Sequence, residues 1–365
     1  MNKEIYLSVS NSILYKRCRR KWDFASSLRM NLEPKETFSA DAWFGTGIHF
    51  ALEDFHGYNY FKDPSLAFQA YYKCFDRKTE LDMNCEALAD IAPGILDYYV
   101  KEWLPKRKQF STLFINGVPQ VEVNIKLRLP KLSELLGADI FVIMKIDRMV
   151  VDDLGRIYAL DNKTVKKFDM DKLETDQQIS WYSWGAELYY NRPVEGMIYL
   201  QFKKKLVNDP KILKNESISY DKEQGTNYYR YYEMLKFKYG SPENAPDNNQ
   251  QCLEYLRSRE SDMGDDFIRY DIVRRSAANK KNIYNTILSE TTEMLNPDLP
   301  IYANPTRDCF NDCLFRSVCL AIDDNLDYQF ILDNNFQSRI NERDKWRSKL
   351  PKDYLEFIKK GDKIK

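Results

Sequence analysis

The chain opens with a helical period. In "LSVSNSILYKRCRRKWDF", Ile13 and Leu14, then Trp22 and Phe24, fall on one apolar face, and Ser10 or Ser12 supplies an N-cap oxygen. A second helix is predicted from Phe44 to Tyr58, where Ile48, Leu52 and Phe55 recur at helical spacing. "PSLAFQAYYKCFDRKTELD" and "IAPGILDYYVKEW" carry the same period. The period then falls to two. Residues 118–130, 138–151 and 156–165 alternate as three strands. Helical spacing returns over 173–191, and 194–205 reads as a fourth strand. Residues 206–265 form a polar, tyrosine-rich connector, helical in part, before a strand-like "FIRYDIVRR" and a helix over 277–295. This order predicts an α/β fold, with a mixed central sheet flanked by helices.

The second and third strands meet in a hairpin. Asp153-Leu154-Gly155 suits a three-residue loop with Gly155 in the left-handed position. Asp152 then faces Arg156, and counting back along the ladder sets Asp147 opposite Asp161, with Cβ atoms roughly 5 Å apart. Alternation places Ile157, Ala159, Asp161 and Lys163 on a common face. Like charges across a ladder repel. A divalent cation resolves the conflict, because Mg²⁺ takes hard oxygen ligands and often only one or two carboxylates. Lys163 beside it would stabilise charge on a phosphate or help deprotonate a water. On the hairpin alone, a solvent-facing salt bridge between Lys163 and either acid accounts for the pattern equally well.

Other residues bear on that balance. His49, one of only two histidines, follows a Gly45-Thr46-Gly47 entry that permits close backbone approach. Gln178 and Tyr182 stand four apart on the helix after the hairpin and share a face. The bland alternatives are a packed histidine and an ordinary amphipathic edge.

Composition narrows the class. Of 365 residues, 43% are hydrophobic and 30% charged, a globular balance. Lys plus Arg equals Asp plus Glu at 55 each, which argues against a protein that coats nucleic acid by charge alone. Local basic tracts remain at 16–21, 105–108 and 203–205. No apolar run approaches the roughly 18 residues of a membrane span, and the opening residues lack a signal-peptide core, so a cytoplasmic location is expected. Seven cysteines there would be reduced thiols, metal ligands or catalytic groups. Cys74, Cys85 and Cys252 are scattered and read as small buried hydrophobes. Cys309, Cys313 and Cys319 crowd together, and such thiolates suit an iron–sulfur cluster or zinc, given a fourth ligand. Reduced thiols without metal are the alternative.

Taken together these segments resemble a PD-(D/E)XK nuclease of the RecB-like branch, which includes CRISPR-associated adaptation nucleases and many phage exonucleases. "LSVSNSILYKRCRRKW" is similar to the family's "LSxSxLxxxxxCPRKY", and "GTGIHFALE" to "GTxxHxxLE". "MKIDRMVVDDLGRIYALDNKT" resembles "GxIDRVDxDxxGxxxIxDYKT", and "DQQISWYSWG" resembles "DxQLxxYxxA". The resemblance implies a restriction-endonuclease-like core, a metal-binding His49, metal-binding acids Asp147 and Asp161, and a catalytic Lys163. It also implies that Gln178 and Tyr182 organise substrate and lysine. Arg19, Lys145 and Asn162 depart from the pattern (a proline, a glycine and an aromatic are usual), but no charged catalytic group is missing. Glu122 stands in the first strand where this branch can carry a glutamate, its role left open.

The resemblance further implies that Cys18 joins Cys309, Cys313 and Cys319 around a [4Fe–4S] cluster that pins the two chain ends, with zinc as the alternative. The first gap of the cysteine motif is three residues here, where two are usual. The implied organisation is a single nuclease domain over 1–365. Its parts are a helical region (1–112), a catalytic sheet core (113–205), an accessory region (206–300), a cysteine segment (301–330) and a tail helix (331–365). The implied activity is a Mg²⁺- or Mn²⁺-dependent deoxyribonuclease, an exonuclease by expectation, in phage or bacterial DNA recombination, repair or processing. Single- or double-stranded DNA ends would be its substrate and a single-strand annealing or recombination protein a partner, with no membrane involved. Basic tracts with Trp22, Trp181 and Trp184 would guide the strand. The rivals are an inert DNA-binding or scaffold subunit with the same fold, and a metal-sensing or redox protein built on the cysteines.

Overall fold

Strand β7 (Asp139–Val151) is the longest strand of the protein and the spine of its sheet. The computed structural model describes residues 4–35, 39–76, 81–107, 110–171, 173–311, 313–339 and 345–362. The strands before β7 are β1 (Glu4–Leu7), β2 (Leu32–Pro34), β3 (Ser111–Thr112), β4 (Phe114–Ile115), β5 (Val118–Pro119) and β6 (Val121–Arg128). After it come β8 (Ile157–Val165), β9 (Gly196–Lys203), β10 (Ile268–Val273) and β11 (Phe336–Ser338). The N-terminal helices are α1 (Val9–Arg17), α2 (Arg19–Ala25), α3 (Ala40–Glu53), α4 (Pro64–Tyr72) and α5 (Met83–Tyr98). Next are α6 (Pro130–Leu136), α7 (Gln177–Tyr190), α8 (Tyr228–Tyr239), α9 (Asp247–Ser258) and α10 (Ala277–Met294). The C-terminal part holds α11 (Asp308–Asn311), α12 (Arg316–Asp323), α13 (Tyr328–Asn335) and α14 (Lys352–Asp362).

The seven-stranded sheet is mixed, in the order β1-β7-β8-β9-β10, with β3 and β6 also paired to β7. This is the fold class expected from the alternating pattern. Each strand has two edges, and β7 uses both. β6 lies along one edge from Phe141 to Arg148. On the other edge, β1 runs parallel opposite Asp139–Val142, and β8 runs antiparallel opposite Arg148–Val151. Among the described residues nothing pairs with that edge between Val142 and Arg148, so β1 and β8 diverge and a fork opens.

One face of the sheet packs on α3, α4 and α5, around Phe44, Ile48, Phe68, Tyr99 and Tyr158. The other packs on α1, α7 and α10, around Trp22, Ile140, Val142, Trp181 and Ile287. Along β7, Ile140, Val142, Met144 and Ile146 belong to the second face, and so does Met149, whereas Val150 belongs to the first. The alternation therefore changes phase across Asp147 and Arg148, at the fork.

Several local expectations need correction. The N-terminal helix is preceded by β1 and broken at Cys18, whose extended backbone (φ −163°, ψ 115°) separates α1 from α2. Its N-cap is Ser8, which accepts from the Asn11 N–H, so neither Ser10 nor Ser12 caps it. The helix predicted from Phe44 begins at Ala40, capped by Ser39, and its last residues, Asp54–Tyr58, widen into a π turn. The strand read over 118–130 is interrupted, with Glu122 in the left-handed region (φ 48°). The connector contains α8 and α9, which form a small core of their own around Tyr231, Leu235, Cys252 and Leu256. The tail is not one helix: α13, β11 (paired with β2), a 3₁₀ turn at Lys345–Lys349 and α14 follow one another. Cys74, Cys85 and Cys252 are buried, as small hydrophobes should be.

Candidate metal centre and active site

The hairpin forms as its turn residues demand. Gly155 takes φ 75°, and the Asp152 N–H donates to the Arg156 carbonyl at 3.1 Å. That fixes the expected register, but the ladder stops at Arg148↔Leu160, one step short of the acids. Asp147 and Asp161 thus do not sit as a closed cross-strand pair. The Asp147 carboxylate instead accepts the Asn162 N–H at 2.7 Å, which a continued ladder would have used otherwise. Asp147 also turns toward α3.

Helix α3 is drawn close by its glycines. A Cβ on Gly47 would lie 2.6 Å from the Phe68 ring and 2.7 Å from Tyr71, and one on Gly45 would lie 3.3 Å from Thr164 Oγ1 on β8. This close approach brings His49 Nδ1 to 3.3 Å from Asp147 Oδ2. The left-handed turn at Glu122 adds a third group, since His49, Glu122 and Asp147 offer ligand atoms all within 4.8 Å of one another. A left-handed glutamate costs of order 1–3 kcal/mol, a strain typical of functional positions. Lys145 is ion-paired to Glu122.

Asp161 is almost fully buried and does not belong to this triad; its Oδ2 lies 2.7 Å from Lys163 Nζ. Burial raises its carboxyl to about 6, with Asp147 adding to the rise and Lys163 opposing it. Burial also works against His49, but Asp147, Asp161 and Glu122 together lift its imidazole to about 9. Burial would raise Asp147, yet His49, Lys163 and the Asn162 N–H hold it below the usual carboxylate range. Burial opposes the Lys163 ammonium, but Asp161 and Asp147 raise it further above its ordinary value. Each acid here is thus held beside a cation, Glu122 by Lys145, Asp147 by His49 and Asp161 by Lys163.

From the opposite face of the sheet, α7 is capped by Asp176, whose side chain accepts the Gln178 N–H at 2.7 Å. Tyr182 is buried near Asp161, and burial and that carboxylate raise its phenol, while a hydrogen bond with Gln178 acts the other way. A cavity of about 750 Å³ opens over the fork, walled by His49, Glu122, Lys145, Asp147, Lys163 and Arg347. Asp161, Gln178 and Tyr182 are not among the residues that line it.

The cysteines behave differently. Cys18, Cys309, Cys313 and Cys319 line one cavity of about 460 Å³, which brings the two chain regions together. Arg20 Nη1 donates to Cys319 Sγ at 3.1 Å, and the N–H groups of Asn304 and Thr306 donate to Cys18 and Cys309 Sγ at 3.4 Å. Among the described residues, however, no three sulfurs come within 4.8 Å of one another, so the thiols do not form a single-ion site. The expected zinc or cluster is therefore not shown by the structure. Trp22, Trp181 and Trp184 are core residues, closed to any passing base.

Glu53 closes the "GTGIHFALE" stretch but was not singled out there, and Arg347 carried no signal of its own. Glu53 could have been found by spacing, since it stands four residues after His49 and so on the same face of α3.

The mixed sheet thus forks beside a histidine and two carboxylates that could hold a metal ion, with a lysine in the same cavity wall. A family model of the PD-(D/E)XK nuclease superfamily matches residues 6–320, and the chain belongs to that superfamily. No curated protein matches the chain. Among the described residues no helix is long and apolar enough to cross a membrane.

Proposed function

We propose that the protein is a Mg²⁺- or Mn²⁺-dependent deoxyribonuclease that degrades DNA from its ends, in phage or bacterial recombination, repair or processing. The observation that carries this reading is the convergence of His49, Glu122 and Asp147 within 4.8 Å at the fork, with Lys163 in the same cavity wall. His49, Glu122 and Asp147 would hold the ion, joined by Asp161 when Lys163 turns from it to the substrate. A bound divalent ion lowers the pKa of a water and polarises the scissile phosphate. Lys163, kept charged by Asp161, supplies a cation for the charge that develops on the phosphate oxygens. Tyr182 and Gln178 hold the floor beneath Asp161 and Lys163 and keep solvent out.

A single-strand annealing or recombination protein is the partner expected of such an enzyme, and the cytoplasm its location. A [4Fe–4S] cluster held by Cys18, Cys309, Cys313 and Cys319 is also proposed, on the observation that the four line one cavity. The inert-subunit alternative gains nothing from a complete set of charged groups. End-labelled linear DNA incubated with each metal tests the reading: shortening products that vanish with EDTA are expected, and intact DNA under both metals would refute it.

A further inference from the structure

The family match ends at residue 320, yet a residue well beyond it reaches the active-site cavity. The 3₁₀ turn Lys345–Lys349 and α14 pack against α3, the helix that carries His49. The Trp346 ring sits 5.1 Å from Phe50 and 4.6 Å from Tyr71, and Tyr354 sits 5.8 Å from Phe50. These buried aromatics clamp the segment, so what it presents to the cavity is fixed by packing. It presents Arg347. The guanidinium lies 4.9 Å from the Trp346 ring centre and 5.7 Å from that of Phe50. It also grips the buried Glu53 with both ends, Nη2 to Oε2 at 2.7 Å and Nη1 to Oε1 at 3.4 Å. Glu53 lies one turn after His49 on α3. Arg347 is thus oriented by a carboxylate and two aromatic faces, and it shares a cavity wall with His49, Asp147 and Lys163.

We propose that Arg347 binds a phosphate of the substrate strand, so that the C-terminal segment completes the active site of this chain. The inference rests on the nuclease reading. A planar guanidinium held in place recognises a phosphodiester in two-pronged fashion, and prior orientation removes the entropy cost of arranging it. A tie that only fastened the segment to α3 would not require the cation to face the cavity.

The test uses the full chain as wild type, Arg347→Gln, Arg347→Lys and the double variant Glu53→Gln/Arg347→Gln. Binding of a fluorescein-labelled DNA oligonucleotide, single-stranded and duplex, is followed in Ca²⁺ across a salt series, and cleavage is followed in Mn²⁺. Arg347→Gln should weaken binding about tenfold and reduce the slope of log affinity against log salt by about 0.7–0.9. KM should rise more than kcat falls, and Arg347→Lys should keep the salt slope. The double variant, which leaves no buried acid unpaired and so protects the fold, should match Arg347→Gln. Wild-type slope and KM in Arg347→Gln would overturn the assignment. Recovery of wild-type binding in the double variant would also do so, by tracing the defect to Glu53. Wild-type protein that neither binds nor cuts DNA would remove the nuclease reading itself, whereas active wild type with an unaffected Arg347→Gln removes only this inference.

Discussion

At the fork, ligand atoms from α3, β6 and β7 lie within 4.8 Å, whereas in the cysteine cavity no three sulfurs come that close. The difference lies in what carries them. His49 sits on a fourteen-residue helix locked against the sheet, and Asp147 in the middle of the longest strand. Cys18 caps a break between two helices, and Cys309 and Cys319 sit on short helices at the protein edge. A site on rigid elements is prearranged and holds its charge conflict in readiness. A site on short pieces depends on its ligand, or on packing alone.

The comparison breaks most sharply at Lys163. Lys163→Ala should lower metal-dependent DNA cleavage on the order of a thousandfold, read by product release from end-labelled DNA, with circular dichroism unchanged. Next comes the choice of acids. Glu122→Gln should weaken Mn²⁺ binding by about a hundredfold in calorimetry. If Asp161→Asn weakens it more than Glu122→Gln does, the ion sits deeper in the fork than the triad places it.

The proposed cluster is tested by composition: if the four cysteines hold it, anaerobically purified protein carries iron and sulfide, and Cys18→Ser loses both. Iron-free, folded wild type would leave a cavity closed by packing. Gly47→Ala, which pushes a methyl into the rings of Phe68 and Tyr71, should cost about 1–3 kcal/mol in denaturant unfolding.

A further effect concerns pH. The imidazole of His49 is lifted from 6.5 to about 9 in the folded protein. A raised folded value means that its stabilisation is complete below pH 6.5 and fades as pH rises through about 9. Metal-free protein should lose melting temperature across that window, and His49→Gln should remove this part of the loss.

Much of this site was legible in the chain. The turn at Asp153-Leu154-Gly155 fixed the hairpin register, and the spacing of Asp161 and Lys163 marked a strand that could not be ordinary core. The rest was not legible. Counting along a ladder assumes that the ladder continues, and nothing in "MKIDRMVV" shows that pairing ends at Arg148 so that Asp147 can face α3. Glu122 likewise reaches the triad through a left-handed backbone that strand alternation cannot foretell. The tryptophans show the reverse error: an aromatic beside basic residues invites a nucleic-acid reading, but large rings most often fill the core. Arg347 joins the cavity only through tertiary packing, since no local pattern links residue 347 to a helix near residue 50.

The most direct test compares wild type with Lys163→Ala on end-labelled linear and circular DNA, with Mg²⁺, Mn²⁺ or EDTA. Metal-dependent shortening of linear DNA by wild type is expected, with none in EDTA and almost none by the variant. Equal cleavage by the two proteins, or cleavage indifferent to EDTA, would contradict that.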